Sequence, residues 1–193
     1  AFDRAKKKIM NDAEEMINKY ERIKKSAAIK ELEKLHKESM KRIQPQDLTG
    51  AIKGKYAMLQ HMETMMKKAK KSVKLVTTAN GLIDLAENHM SLVKKLSNNG
   101  VSVKVVAPIT KQTQDVANML SKHAEVRSIH HMNKFAARMA VIDGSEFLIG
   151  LTDDAKVHPT QDVAFWTQSS HASSKMIEPI FDMVWSNSKA IKK

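Results

Sequence analysis

Along the first stretch of the chain, apolar residues recur with a helical period. From Phe2 to about Ile43 there is no glycine or proline, and Phe2, Ile9, Met16 and Ile23 fall at every seventh position. Ala13, Tyr20 and Ala27 follow three of them at a spacing of four. A seven-residue repeat keeps one apolar stripe turned toward a partner helix, which is the seam of a coiled coil. Lys30 and Lys34 then occupy the next seam positions while Ile29, Leu32 and Leu35 carry the apolar load, so the register slips. The pattern predicts one long helix ended near Pro45, with Phe2, Ile9, Met16, Tyr20 and Ile23 as dimerisation residues. A helix of that length cannot bury its stripe against a small domain, so a second copy of the chain is the expected partner.

Past Pro45 the period changes. Residues 45–54 read as a linker, with Asp47 or Thr49 as a start signal for a helix opened by Lys53-Gly54-Lys55. Ile52, Met58, Leu59, Met62, Met65, Met66 and Ala69 supply its apolar stripe, and the methionines read as adaptable core packing. Val73 to Thr78 reads as a strand, Asn80-Gly81 as a turn, and Leu82 to about Leu96 as a helix closed by Asn98-Asn99-Gly100. A strand from Val101 to Val106 and a helix from Thr113 to about His123 follow. This alternation predicts a parallel sheet with crossover helices. Further strands are expected at Val126 to His131 and Asp162 to Thr167, and a last helix at Ser174 to Ser188. Between those two strands, Met139 to Ile142 and Phe147 to Ile149 flank Asp143-Gly144, a dipeptide suited to a tight hairpin turn. The expected fold class is α/β: a long N-terminal coiled-coil helix over 1–44, the linker over 45–54, and a mixed-sheet domain over 55–193.

The offsets around that hairpin carry more than a turn. Arg138 precedes Asp143 by five positions and Gly150 follows it by seven. Ala136-Ala137-Arg138, Asp143 and Gly150-Leu151-Thr152-Asp153 together resemble the phospholipase D superfamily motif HxK(x)4D(x)6GSxN. The resemblance implies a phospholipase D-like domain. In that family the histidine is the nucleophile that forms a covalent phosphoryl intermediate, and the lysine and asparagine hold the phosphate. Here Ala136 stands at the nucleophile's position, Arg138 at the lysine's, Leu151 at the serine's and Asp153 at the asparagine's. Alanine has nothing to attack with, and good binding does not replace a nucleophile. Ala136, Arg138, Asp143, Gly150 and Asp153 are therefore degenerate motif positions, and no catalytic residue is expected. Family enzymes use two such motifs, and this chain carries one.

A basic coiled coil, a break at Pro45, the segment DLTGAIKGKYAMLQHMETMMKKAKKSVKLVTT and then a motif-poor domain together resemble the TrmB family of archaeal transcriptional regulators. That resemblance implies an N-terminal winged helix that binds DNA, a coiled coil that dimerises, and a phospholipase D-like domain that senses effectors. No winged helix is present in this sequence, and Ala1 falls inside a helical pattern, so a natural N-terminal part is expected ahead of it. The expected protein is a dimeric transcriptional regulator: a homodimer through the coiled coil, contacting DNA through the absent domain, and responding to a small-molecule effector. A bound signal would change the angle of the coiled coil, and with it the spacing of the two DNA readers. Two other readings stand beside it. One is a phosphodiesterase or nuclease whose nucleophile has moved to His130 or His131, and the other is a dimerisation module without a ligand.

Composition narrows the chemistry. The absence of cysteine excludes disulfides, thiolate metal sites and cysteine catalysis, in keeping with a cytoplasmic protein. There is no run of about 18 apolar residues and no signal peptide, so no membrane partner is expected. The net charge of +12 is uneven, since residues 1–72 hold 19 Lys/Arg against 10 Asp/Glu. Such a surplus serves nucleic-acid proximity or simply a solvated helix face. Ligands of open α/β sheets bind beyond the carboxyl ends of the strands, where Thr77, Thr78, Asn80, His130, His131 and Asn133 fall. Asn80, His131, Asn133, Arg138, Asp143 and His158 are the candidate ligand-binding residues, Arg138 and His131 for an anionic group, with Asp143 orienting either. An Arg138–Asp143 pair kept only for structure is the competing reading. No cofactor is expected. No metal is expected either, because His130, His131, His158 and His171 follow no established ligand spacing. Ser145, Ser169, Ser170 and Ser173 lack a nucleophile-elbow pattern, and the scattered glycines form no phosphate loop.

Overall fold

Ser26 divides the first helical stretch. In the computed structural model, which describes residues 2–42, 48–129 and 138–191, the chain falls into two units, Ala1–Gln44 and Pro45–Lys193. The first contains α1 (Phe2–Lys25) and α2 (Ala27–Arg42) in place of one uninterrupted helix. The cause is local: the Ser26 hydroxyl accepts from the Ile29 N–H at 3.3 Å and its carbonyl from the Lys30 N–H at 3.1 Å, so Ser26 acts as the N-cap of α2. The break falls where the apolar register slips. Phe2, Ile9, Met16, Tyr20 and Ile23 are all exposed on α1.

The second unit is one mixed sheet between helical layers. Its elements are β1 (Thr49–Lys53), α3 (Lys55–Lys68), β2 (Ser72–Val76), α4 (Ala79–Asn98), β3 (Ser102–Ala107), α5 (Gln114–Leu120) and β4 (Glu125–Ser128). Then come β5 (Met139–Ile142), β6 (Glu146–Gly150), β7 (Val163–Thr167), α6 (Ser170–Ala172), a π-helical turn (Ser173–Ile177), α7 (Glu178–Ser186) and β8 (Lys189–Ala190). The sheet order is β1-β7-β6-β5-β2-β3-β4-β8. The strands β2, β3 and β4 run parallel, joined through α4 and α5, while β5, β6, β7 and β1 form an antiparallel run and β8 lies antiparallel to β4.

Alternation along the strands builds a core on each face. Val73, Leu75, Val103, Val105, Ala140, Ile142 and Leu148 pack with α3, α4 and α5. Val76, Val106, Met139, Val141 and Phe147 pack instead with Phe181 and Val184 of α7. The four residues of β5 are all buried because both faces are covered.

Three expectations need correction. Residues 45–54 are not simply a linker: Thr49–Lys53 is β1, an edge strand antiparallel to β7, in which Gly50 lies directly opposite Trp166. A Cβ at Gly50 would stand 2.9 Å from the Trp166 indole nitrogen, so glycine leaves room for the ring. Asn80-Gly81 is not a turn but the first turn of α4, which begins earlier because the Thr78 hydroxyl accepts from the Gly81 N–H at 3.0 Å. The strand expected over Val126 to His131 ends at Ser128, and His130 and His131 lie outside the described residues. Among the described residues, no helix is long and apolar enough to cross a membrane.

The core on the α3/α4 side contains an unpaired polar ring. His89 is 3% exposed, and neither ring nitrogen has a hydrogen-bond partner among the described residues. Burial pushes its pKa below the ordinary 6.5, as it does for His61, which lies over Trp166 with ring centroids 4.5 Å apart. A buried unsatisfied polar group costs about 1–3 kcal/mol, so His89→Leu is expected to raise the unfolding free energy by about 1 kcal/mol or more at neutral pH. Because the folded pKa is depressed, the neutral ring's contribution is complete above the unfolded value and is lost as pH falls below it. Urea midpoints measured across that range should fall in the natural chain and fall less in the variant.

Candidate functional site

The side chain of Arg138, immediately before β5, is only 10% exposed and needs a counter-charge. Asp162, immediately before β7, provides it. The two make a bidentate pair, with Nη1 to Oδ2 and Nη2 to Oδ1 both at 2.6 Å. Nη2 also donates to the Thr152 carbonyl at 2.8 Å, and the Thr152 hydroxyl donates to Asp162 Oδ1 at 2.6 Å. The backbone closes around the pair: the Gly54 N–H donates to the Asp162 carbonyl at 2.6 Å and the Gly150 N–H to the Arg138 carbonyl at 2.8 Å. The glycine of the motif has a steric role here. A Cβ on Gly150 would meet Nε and Nη2 of Arg138 at 2.9 Å, so only glycine lets the guanidinium lie flat against β6. Burial pushes the Asp162 carboxyl up, but the Arg138 guanidinium and the Thr152 hydroxyl together hold it below the usual carboxylate range.

Asp143 sits at the opposite end of β5 and takes no part in this network. Its φ of 54° and the 64° of Gly144 place both central turn residues in the left-handed region, and the Ser145 N–H closes the turn on the Ile142 carbonyl at 2.9 Å. The carboxylate reaches across to the start of β2 and accepts from the N–H groups of Lys70, Lys71 and Ser72, each at 2.8 Å. Burial would raise its pKa, yet those three donors carry it below the ordinary 3.8. The Arg138–Asp143 pair is therefore not formed, and Asp143 anchors backbone at a distance from Arg138.

A cavity of about 170 Å³ opens where the carboxyl end of β2 meets the N-terminus of α4. Its wall is apolar, with Met58, Met62, Leu75, Leu85, Ala140 and Leu148, and its polar groups include Lys55, Asn80, Asp84, Arg138, Asp154 and Asp162. Lys55 pairs with Asp84 at 2.8 Å, and Asp154 accepts from the Thr78 hydroxyl at 2.6 Å. Of the candidate ligand-binding residues, the structure brings Asn80 and Arg138 together here. His158 is exposed and caps the short 3₁₀ turn Pro159–Gln161, with Nδ1 2.9 Å from the Thr160 hydroxyl. Asp153 is held by Lys156 at 3.0 Å and by the Ala155 N–H. His131, Asn133 and Ala136 lie outside the described residues. Among the described residues, no group of histidine and carboxylate side chains could hold a metal ion.

Sequence reasoning missed Asp162, Thr152 and Asp154 as parts of the site. The signal for the first was available in principle, since an arginine entering a fully apolar strand requires a buried acid, but nothing in the motif says which of several acids it is.

No family profile matches this sequence, and no curated protein matches it either. The fold has clear counterparts. The chain is similar to TrmBL2, an archaeal chromatin protein whose structure shows a novel mode of DNA binding, with a TM-score of 0.58 at 17% identity over 96% of this chain and 69% of that one. It is also similar to Nuc, a phospholipase D family member from Salmonella typhimurium, with a TM-score of 0.57 at 14% identity over 76% of this chain and 100% of that one. NucT from Helicobacter pylori gives a TM-score of 0.58 at 14% identity over 75% of this chain and 99% of that one. At such identities the likeness defines the fold: a phospholipase D-like α/β domain following a long N-terminal helical segment. The α/β domain fold is shared by Nuc, NucT and the chromatin protein alike.

Proposed function

We propose that this chain is the dimerising and sensing part of a TrmB-like transcriptional regulator, in which the phospholipase D-like domain holds a ligand and does not cleave phosphodiesters. The observation that carries this reading is the occupation of Arg138. In the motif that the sequence resembles, this position holds the phosphate, whereas here the guanidinium is committed to Asp162 and to the Thr152 carbonyl. A phosphate ester would have to displace a buried carboxylate that is already bidentate. Ala136 at the nucleophile's position supports the same reading.

The exposed apolar stripe of α1 supports dimerisation, because the seven-residue spacing of Phe2, Ile9, Met16 and Ile23, with Tyr20 beside it, suits burial against a partner helix. DNA contact would come from a winged helix joined ahead of α1, as the resemblance implies.

The test is incubation of the chain with bis(p-nitrophenyl) phosphate and with plasmid DNA, beside sedimentation equilibrium. No turnover above buffer and a mass of two chains are the expected results. Turnover that disappears in His131→Ala would replace this reading with a phosphodiesterase.

A further inference from the structure

The cavity beside Arg138 has a charge balance that specifies its ligand. Two of its cations and two of its carboxylates cancel in pairs, Lys55 with Asp84 and Arg138 with Asp162. One carboxylate remains. Asp154 lines the cavity, is half-buried, and has no ion partner among the described residues. It accepts from the Thr78 hydroxyl, the N-cap of the twenty-residue helix α4, which places this carboxylate beside the N-terminus of that helix. Among the described residues, both cations of the site are therefore already paired, while an incoming cation meets a carboxylate with no ion partner.

The rest of the wall selects for an apolar body. Met58, Met62 and Leu148 face the space, and the methionine side chains adapt to irregular shapes. At about 170 Å³ the space is comparable to an engineered aliphatic-lined cavity of about 150 Å³ that accepts benzene. Asn80 stands at the rim as a further hydrogen-bonding group.

We propose that this cavity binds a small primary amine with a compact apolar body, the ammonium against Asp154 and the body among Met58, Met62 and Leu148, and that it rejects phosphate esters. The proposal rests on reading the domain as a sensor and names the class of its effector. It also accounts for the position of the site: beyond the carboxyl end of a central parallel strand, where open sheets take ligands.

The test is isothermal titration calorimetry on the full chain with 2-phenylethylamine, 2-phenylethanol and phenyl phosphate, run beside the phosphodiester assay on the same preparation. The amine is expected to bind, the alcohol to bind more weakly, and the phosphate not to bind. Asp154→Asn should weaken the amine by roughly tenfold or more while leaving the alcohol nearly unchanged. Met62→Trp, which fills the space, should abolish binding of both. The proposal is overturned if the amine gives no heat, if Asp154→Asn leaves its affinity intact, or if phenyl phosphate binds as tightly. Phosphodiester turnover would instead overturn the sensor reading, so the two failures are told apart in one preparation.

Discussion

Asp162→Ala is expected to lower the unfolding free energy by about 3–5 kcal/mol, the range typical of stripping one partner from a buried ion pair. The expectation follows from burial and geometry. The Asp162 side chain is 2% exposed, and it receives three side-chain hydrogen bonds, two from Arg138 and one from Thr152. Alanine would leave the guanidinium in the interior with only the Thr152 carbonyl and a distant Met58 sulfur as acceptors. A domain typically has about 5–15 kcal/mol in total, so such a loss is visible in any denaturant titration. The double variant Arg138→Met/Asp162→Leu is expected to recover most of the loss, because removing both charges removes the uncompensated one. The pH dependence has a defined sign. Since the Asp162 carboxyl titrates below its ordinary 3.8, its contribution is complete above that value and disappears as pH falls through the folded pKa. Natural chain and Asp162→Ala should therefore converge in acid, while the double variant, with neither charge, keeps its stability there. Equal urea midpoints for Asp162→Ala and the natural chain at neutral pH would show that the pair contributes no stability.

Such a result also bears on what the motif has become. Three of its positions keep their residue type or charge in this chain: Arg138, Asp143 and Gly150. Each now has a structural duty that can be named. Gly150 makes room for the guanidinium, Arg138 ties β5 to the start of β7 through Asp162, and Asp143 ties the hairpin to the start of β2. This arrangement ties both ends of β5 to neighbouring strands.

The order of elements was readable because both faces of the central sheet are covered. MAVI, SVKLV and SVKVVA are short, β-branched and bounded by turn or breaker residues, which is how buried strands announce themselves. The missed strands lacked that signature. β1 contains a glycine and has only Gly50 and Ile52 turned partly inward, and β8 has two exposed residues. Their pairing is imposed by the tertiary structure, through the approach of Trp166 to Gly50 and of β8 to β4. The site was less legible for the same reason. Offsets along the chain found Arg138 and Asp143, but Asp162 lies beyond the motif, and Thr78 with Asp154 meet only because α4 starts at the open end of β2. A linear pattern gives the spacing of residues on one hairpin and says nothing about what arrives from elsewhere.

Asp143→Ala is expected to cost about 2–4 kcal/mol, from two separable causes. The carboxylate answers three consecutive backbone donors, those of Lys70, Lys71 and Ser72, and hydrogen bonds to charged groups are worth about 1.5–3 kcal/mol each before solvent replaces part of the loss. The first two donors lie at exposed residues, where water can substitute, which keeps the total well below three full bonds. The second cause is the φ of 54°, which costs alanine about 1–2 kcal/mol and aspartate less. Asp143→Gly removes the carboxylate while easing the backbone, so its loss isolates the hydrogen bonds. Asp143→Asn keeps one acceptor oxygen and tolerates the same φ, so it should be the mildest of the three. The order asparagine, glycine, alanine is the expected order of increasing instability in urea titrations at neutral pH. Because the Asp143 carboxyl also titrates below 3.8, its contribution is fully present above that value and lost as pH falls through the folded pKa. All three variants should therefore lie closer to the natural chain in acid than at neutral pH. A measured order with glycine the most stable would assign the cost to the backbone and not to the carboxylate, and would remove Asp143 as the anchor between the hairpin and β2.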